Sequence, residues 1–320
     1  MKPKIYVTRK IEDSVKEKLE NYCEVTMWEK EDVPVPKEVL IEEVRKVEGL
    51  YCLLTETIDK EVIESAPDLK VISNMAVGFN NIDIEEAKKH NIIVTNTPEI
   101  LTETTADLTF ALLMATARRI VEAVDYIKSN QWVTWSPMQL TGRDVHGATL
   151  GIIGMGRIGS ALARRAKGFN MNIIYHNRNR SLEQERELDV QYVEFEELLK
   201  TSDFICVMVP YSEETKNLIS EREFRLMKDT SILVNTSRGG IVDEDALYMA
   251  LTNQQIGAAG LDVFEEEPIN KSNRFVSLPN VISLPHIGSA SIDTRLKMEE
   301  VAAENLLRVL QNNPPIYRVV

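Results

Sequence analysis

Leu150-Gly151-Ile152-Ile153-Gly154-Met155-Gly156-Arg157-Ile158-Gly159 is the stretch on which the reading of this chain turns. An apolar strand runs into three glycines, a helical pattern over residues 161–167 follows at once, and a second strand pattern covers 172–175. In this βαβ setting each glycine has a task. Gly154 permits the tight turn, Gly156 lets the backbone approach a pyrophosphate, and Gly159 lets helix and strand pack closely. The unpaired N–H groups and positive dipole end of the helix then receive the pyrophosphate. The stretch predicts a dinucleotide-binding unit.

The end of the second strand bears on which dinucleotide. Sites for NAD usually place an acid there to accept hydrogen bonds from the adenine ribose. Here His176-Asn177-Arg178-Asn179-Arg180 contains no acid, and Asn177 stands at the expected acidic position. An acid would repel a 2′-phosphate, whereas Asn177 can donate to it and Arg178 can pair with it. Arg180 is either an auxiliary to that pairing or a solvated side chain. NADP(H) is expected to be preferred, with NAD(H) the alternative.

Composition bounds the rest. The 320 residues suit two domains, and 27% charged with 43% hydrophobic residues is ordinary for a globular enzyme. A net charge of −13 argues against sequence-independent nucleic-acid binding, and any anionic ligand must be drawn in by local cations or helix ends. No signal segment is evident in residues 1–14. The most apolar stretch, 108–117, is too short to span a bilayer, so a cytoplasmic protein is expected, without a membrane partner. Cys23, Cys52 and Cys206 have no ligand spacing and read as buried thiols; no metal site is expected.

Short β-rich runs alternate with helical patterns throughout, as in parallel α/β architecture. Strand candidates before the glycine motif cover residues 5–8, 24–28, 50–54, 71–73 and 92–95, with helical patterns at 13–20, 36–46, 60–66 and 84–89. Later strands are expected at 204–209, 232–235, 258–262 and 281–283. Residues 101–128 read as one long helix joining two doubly wound units. A terminal helix over 291–311 has no strand partner in the second unit, so it is expected to return to the first.

Three segments close strands at the carboxyl edge, where open α/β sheets bind ligands. They are Asn235-Thr236-Ser237-Arg238-Gly239-Gly240, Gly260-Leu261-Asp262 running on to Glu265-Glu266-Glu267-Pro268, and Leu284-Pro285-His286-Ile287-Gly288-Ser289. Arg238, Glu267 and His286 form a set suited to reducing a 2-keto acid. His286 is the natural proton donor to a developing alkoxide, since imidazole titrates near neutrality. Glu267 would favour the imidazolium and orient the ring, and Arg238 offers a planar fork for a carboxylate. His90, His146 and His176 read as structural or solvated.

With these segments, Ala76-Val77-Gly78-Phe79-Asn80-Asn81-Ile82-Asp83 and Thr102-Glu103-Thr104-Thr105-Ala106-Asp107, the chain resembles the D-isomer-specific 2-hydroxyacid dehydrogenases over essentially its whole length, most closely their glyoxylate/hydroxypyruvate reductases. The resemblance implies a flavodoxin-like substrate domain of residues 1–98 plus 290–320, split by an inserted Rossmann domain of residues 99–289. It implies cofactor contacts from Thr105, Met155, Arg157, Ile158, Asn179, Pro210, Thr236, Ser237 and Gly288 beside the residues already named. Asp262 resembles the family's residue near the nicotinamide carboxamide, or it simply caps its strand. Backbone N–H groups of Val77 and Gly78 would hold the substrate carboxylate opposite Arg238, in a cleft that closes around it. Residues 129–140 carry Trp132 and Trp135 and are either a surface loop or, as the resemblance implies, an arm joining a homodimer, with the partner subunit's Trp135 reaching the substrate. The expected activity is reduction of glyoxylate or hydroxypyruvate. A 2-ketogluconate reductase (gluconate 2-dehydrogenase) is the alternative, and a nucleotide-sensing corepressor-like protein a more distant one, since no long tail follows Pro314-Pro315-Ile316-Tyr317-Arg318-Val319-Val320.

Overall fold

The computed structural model describes residues 2–320, which divide into two compact units. One runs to Leu101 and resumes at Ala290–Val320; the other is Thr102–Ser289. The first is built on β1 (Lys4–Val7), β2 (Glu24–Met27), β3 (Gly49–Cys52), β4 (Val71–Asn74) and β5 (Ile93–Thr95). Its strands are all parallel in the order β2-β1-β3-β4-β5, the flavodoxin-like arrangement. Buried on both faces, β3 and β4 show no alternation of exposed and buried residues, as in a parallel sheet interior; β4 ends in the buried polar pair Ser73 and Asn74.

Helices α1 (Asp13–Tyr22), α2 (Lys37–Val44), α3 (Lys60–Glu64) and α4 (Ile84–Lys89) cross between these strands. Asp59 and Asp83 start α3 and α4 by accepting the N–H groups of Val62 and Glu86. The terminal helix α12 (Ile292–Leu310) packs on β3, β4, β5 and α1 of this same unit. It buries Met298, Val301, Ala302, Leu306 and Leu307. Asn305 is fully buried on it and engaged at both ends: Nδ2 donates to Asn96 O at 3.2 Å, while Oδ1 accepts the N–H groups of Ile316 and Tyr317. The tail then pairs with β5 through Val94 and Val319.

The second unit holds β6 (Thr149–Ile153), β7 (Asn172–His176), β8 (Gln191–Tyr192), β9 (Phe204–Val207), β10 (Ile232–Asn235), β11 (Ala258–Leu261) and β12 (Val281–Ser283). Their order, β12-β11-β10-β9-β6-β7-β8, is the Rossmann order extended by one strand. The switch point lies between β6 and β9, immediately above the glycine motif. Strand β8, only two residues long, had no counterpart among the sequence expectations.

Residues 101–128 are not one helix. They form α5 (Thr102–Ala117) and α6 (Ile120–Lys128), with Arg119 in the left-handed region at φ 53°. The cause is a competing hydrogen bond. In a continuous helix Ala117 O would accept the Val121 N–H; here it accepts the Arg143 N–H at 2.8 Å. The chain returns so close at Gly142 that a Cβ there would lie 2.1 Å from Ala117 O. None of the residues of α6 is buried, and Ile120, Val121, Val124 and Ile127 form an exposed apolar stripe.

If α12 supplies core to the first unit, Leu306→Ala is expected to lower stability by about 2–5 kcal/mol. A shift of the urea midpoint equivalent to less than about 1 kcal/mol would contradict that packing.

Candidate active site

Helix α7 (Arg157–Lys167) begins directly after the glycine turn, with Gly156 as N-cap and no side-chain cap. Gly154 has φ +104°, and a Cβ on it would lie 2.7 Å from the Met208 carbonyl carbon. A Cβ on Gly159 would lie 2.3 Å from Gly154 O, whereas at Gly156 it would meet nothing within 4 Å. The glycines therefore divide as the sequence indicates: two close the turn onto its neighbours and one leaves open space at the helix N-terminus. The Met155 N–H donates to Asn177 Oδ1 at 2.7 Å, which seats Asn177 beside the turn.

The two arginines beyond Asn177 are engaged by acids of their own chain. Arg178 is exposed and pairs with Glu214. Arg180 grips Glu185 of α8 (Leu182–Leu188) with two bonds of 2.7 Å. Glu185 also accepts from Tyr175 Oη at 2.9 Å, and Tyr175 Oη accepts the Ser181 N–H. Arg180, though exposed, thus staples the loop that carries Asn177 and the exposed Asn179. Nothing in the sequence spacing of Glu185 and Glu214 marks them for these pairings.

The carboxyl ends of β10, β11 and β12 assemble the reactive set. Asp262 is fully buried; its backbone oxygen accepts the His286 N–H at 3.0 Å and its Oδ1 accepts the Ile287 N–H at 2.8 Å. These bonds hold His286 at φ +54°, a left-handed backbone uncommon outside glycine. His286 Nδ1 lies 2.7 Å from Glu267 Oε2, and Glu267 Oε1 accepts the Phe264 N–H at 2.9 Å. Burial alone would raise the Glu267 carboxyl; the His286 hydrogen bond and charge, the Phe264 N–H and Arg238 outweigh it, so the group lies below the usual carboxylate range. Burial lowers Arg238 from the ordinary guanidinium value, against the upward pull of Glu267. Its turn is held by Asn235 Nδ2 donating to Arg238 O and lies against Phe264: a Cβ on Gly239 would sit 1.9 Å from Phe264 O.

Thr236 and Ser237 have their hydroxyls engaged with Thr109 Oγ1 and Val207 O, Gly288 is buried beside Thr105, and Pro210 is exposed after β9. Asp262 Oδ2 is buried with no hydrogen-bond partner, and burial raises this carboxyl above its usual range. Asp262 therefore does brace its strand end with one oxygen, while the other is left for a donor. An uncapped helix N-terminus, open space at Gly156 and this orphaned acceptor suit the residues to a dinucleotide.

In the first unit, Val77 and Gly78 follow β4, and their N–H groups donate to no group among the described residues. Trp132 and Trp135 are 57% and 75% exposed. His90 caps α4, His146 meets Asn170 and His176 packs on Tyr192 and Phe195. The cysteines are buried and unpaired, and burial raises all three thiols. Among the described residues no three His, Cys, Asp or Glu side chains gather as for a metal, and no helix is long and apolar enough to cross a membrane.

The family described as "D-isomer specific 2-hydroxyacid dehydrogenase, NAD binding domain" matches residues 110–288. A glyoxylate reductase of Korarchaeum cryptofilum is 51% identical over 98% of this chain and 95% of its own, and one from Thermococcus litoralis is 50% identical over 98% and 96%. An NADPH-dependent glyoxylate/hydroxypyruvate reductase of Sinorhizobium meliloti, solved with NADP and malonate, superposes with a TM-score of 0.89 at 32% identity, covering 100% of this chain and 97% of that one. The chain belongs to the D-isomer specific 2-hydroxyacid dehydrogenases, enzymes that use a nicotinamide dinucleotide.

Gly239→Ala is expected to push the Arg238 turn away from Phe264. A displacement of that size costs on the order of 10²-fold in kcat/KM, with dinucleotide affinity, measured by fluorescence quenching, little changed.

Proposed function

We propose that this chain is a cytoplasmic glyoxylate/hydroxypyruvate reductase that prefers NADP(H) and works as a homodimer. The observation that carries the reading is the 2.7 Å His286–Glu267 pair beside Arg238 at the carboxyl edge of the nucleotide sheet. Near-full-length similarity to glyoxylate reductases supports the substrate. A reduced nicotinamide supplies the hydride. His286 delivers the proton to the oxygen that becomes the hydroxyl, with Glu267 holding the ring through Nδ1 so that the other nitrogen faces the reaction. Arg238 forks onto the substrate carboxylate and polarises the neighbouring carbonyl. The Val77 and Gly78 N–H groups give the carboxylate a second hold.

His286→Ala is expected to lower turnover by on the order of 10²–10⁴. Glu267, held below its usual range, is ionised throughout the neutral region, and its partnership with His286 is lost only as pH falls through that depressed value. Glu267→Gln removes the charge at all pH values, so the decline of reduction at high pH is expected to begin at a lower pH. An unchanged profile would take Glu267 out of the mechanism.

Absence of an acid in residues 177–180 supports NADP(H). The exposed Arg178–Glu214 pair is weak enough for a 2′-phosphate to replace Glu214. Initial rates with glyoxylate, hydroxypyruvate and 2-ketogluconate against both nucleotides test the reading. The first two with NADPH are expected to lead; dominance of 2-ketogluconate reassigns the substrate, and equal kcat/KM for NADH removes the cofactor preference. Asn177→Asp with Arg178→Ala is expected to move preference toward NADH.

Homodimerisation is supported by the exposed stripe of α6 and by Trp132, Val133, Trp135 and Met138 on the adjoining segment. Sedimentation at micromolar concentration is expected to give a dimer; a stable monomer contradicts it.

A further inference from the structure

Glycine adopts a wide range of backbone angles, so a Gly78 N–H that must face a carboxylate needs external anchors. The first unit supplies one on each side. Val77 O accepts from Asn96 Nδ2 at 2.8 Å and Gly78 O accepts from Asn74 Nδ2 at 2.9 Å. A trans peptide is planar, with C=O and N–H pointing in opposite directions. Holding the Val77 oxygen therefore directs the Gly78 N–H, and holding the Gly78 oxygen fixes the peptide plane beyond it. The two planes flanking the Gly78 Cα are both pinned. Ala76 O, one residue earlier, accepts the Thr97 N–H at 2.9 Å, which directs the Val77 N–H in the same way.

Asn74 is the deepest of these anchors, fully buried at the end of β4. Its Nδ2 faces two acceptors, Gly78 O and Asn81 Oδ1 at 3.4 Å, and its Oδ1 faces the Cys52 thiol at 3.8 Å, so its neighbours settle the amide's orientation. Asn81 donates in turn to Leu53 O and Glu56 O, both at 3.0 Å. Behind them Glu56 is buried and accepts from Thr8 Oγ1, the Leu53 N–H and Arg9 Nη2. One connected set of hydrogen bonds thus runs from the ends of β1 and β3 to the glycine.

We propose that Asn74 is a positioning residue for keto-acid recognition, fixing the peptide plane after Gly78 while Asn96 fixes the one before it, so that the Gly78 N–H is held facing the substrate carboxylate, with Asn81 bracing Asn74 from behind. This rests on the reductase reading. Asn74 acts through the backbone and touches neither the substrate nor the reacting atoms. Its loss is read in carboxylate affinity and leaves the dinucleotide unit, residues 102–289, as it was.

Asn74→Asp in the full-length protein keeps the shape and replaces the donor facing Gly78 O by an acceptor. Oxamate, an unreactive keto-acid analogue, is titrated calorimetrically with NADPH present, and NADPH alone by fluorescence. The oxamate Kd and the glyoxylate KM are expected to rise about tenfold or more, the effect of unmaking a buried hydrogen bond. The NADPH Kd and kcat are expected to stay within about threefold of the parent. An oxamate Kd equal to the parent's overturns the proposal, as does a parallel loss of NADPH affinity or a parent that binds no oxamate. If Asn74→Asp does not fold, Asn81→Ser decides: its oxamate Kd is expected to rise about threefold or more, and an unchanged value overturns the proposal. A parent that binds oxamate but does not reduce glyoxylate removes the reductase reading, and weaker oxamate binding by Asn74→Asp in that case still supports the positioning role. A parent that reduces glyoxylate while Asn74→Asp binds oxamate normally does the reverse.

Discussion

The grip of Asp262 on the loop after β12 sets the position of His286, the residue around which the proposed site is built. Its N–H continues the ladder onto Asn235 O, its backbone oxygen takes the His286 N–H, and its carboxylate takes the Ile287 N–H. A buried carboxylate is costly unless its oxygens are used, and a non-glycine residue in the left-handed region costs on the order of 1–3 kcal/mol. Both features persist because three strand ends over-determine the geometry. The result is an imidazole whose backbone cannot drift, facing a carboxylate fixed in turn by the Phe264 N–H. Arg238 joins them because Gly239 lets its turn touch the Phe264 backbone. The geometry of the proposed catalytic set is a property of strand ends and of the bonds that carry the sheet ladder beyond the sheet.

Electrostatics follow from that frame. The protein carries a net charge of −13, so its overall field repels the anionic ligands proposed for it. Attraction is concentrated at few places: the uncapped start of α7, the half-buried Arg238 and the exposed Arg178. The acids beside these points are not alike. Glu267 answers to His286, Glu185 fixes Arg180 in a staple, and Glu214 offers Arg178 only an exposed pairing that salt screens.

Much of this was legible in the sequence, for definable reasons. The parallel strands announce themselves because a sheet covered on both faces needs continuous apolar runs, as at Phe204–Val207 and at Ile232, Leu233 and Val234. The glycine motif is readable because its constraints are local. Arg238, Glu267 and His286 stand out because each follows a strand. The break between α5 and α6 was hidden, since it depends on Arg143, distant in sequence, taking the Ala117 carbonyl. The Arg178 pairing was hidden for the same reason, since Glu214 lies 36 residues on, in the loop after β9; the Arg180 pairing depends on how the chain turns into α8 to bring Glu185 back. Asn74 offered a faint signal as an amide closing a buried strand, but its partners appear only in three dimensions.

The division of the first unit has a consequence for how the chain is made. Ribosomes deliver sequence from the N-terminus, and domains generally fold as units as they emerge. Strands β1 to β5 emerge early, yet α12, which covers β3 and β4, is synthesised only after all of Thr102–Ser289. The nucleotide unit has its whole sequence available while the first sheet still lacks its cover and the Asn305 bonds that order the tail. The last-made helix closes the first-made sheet, so a chain that stops short of Ile292 leaves apolar strand faces open to aggregation.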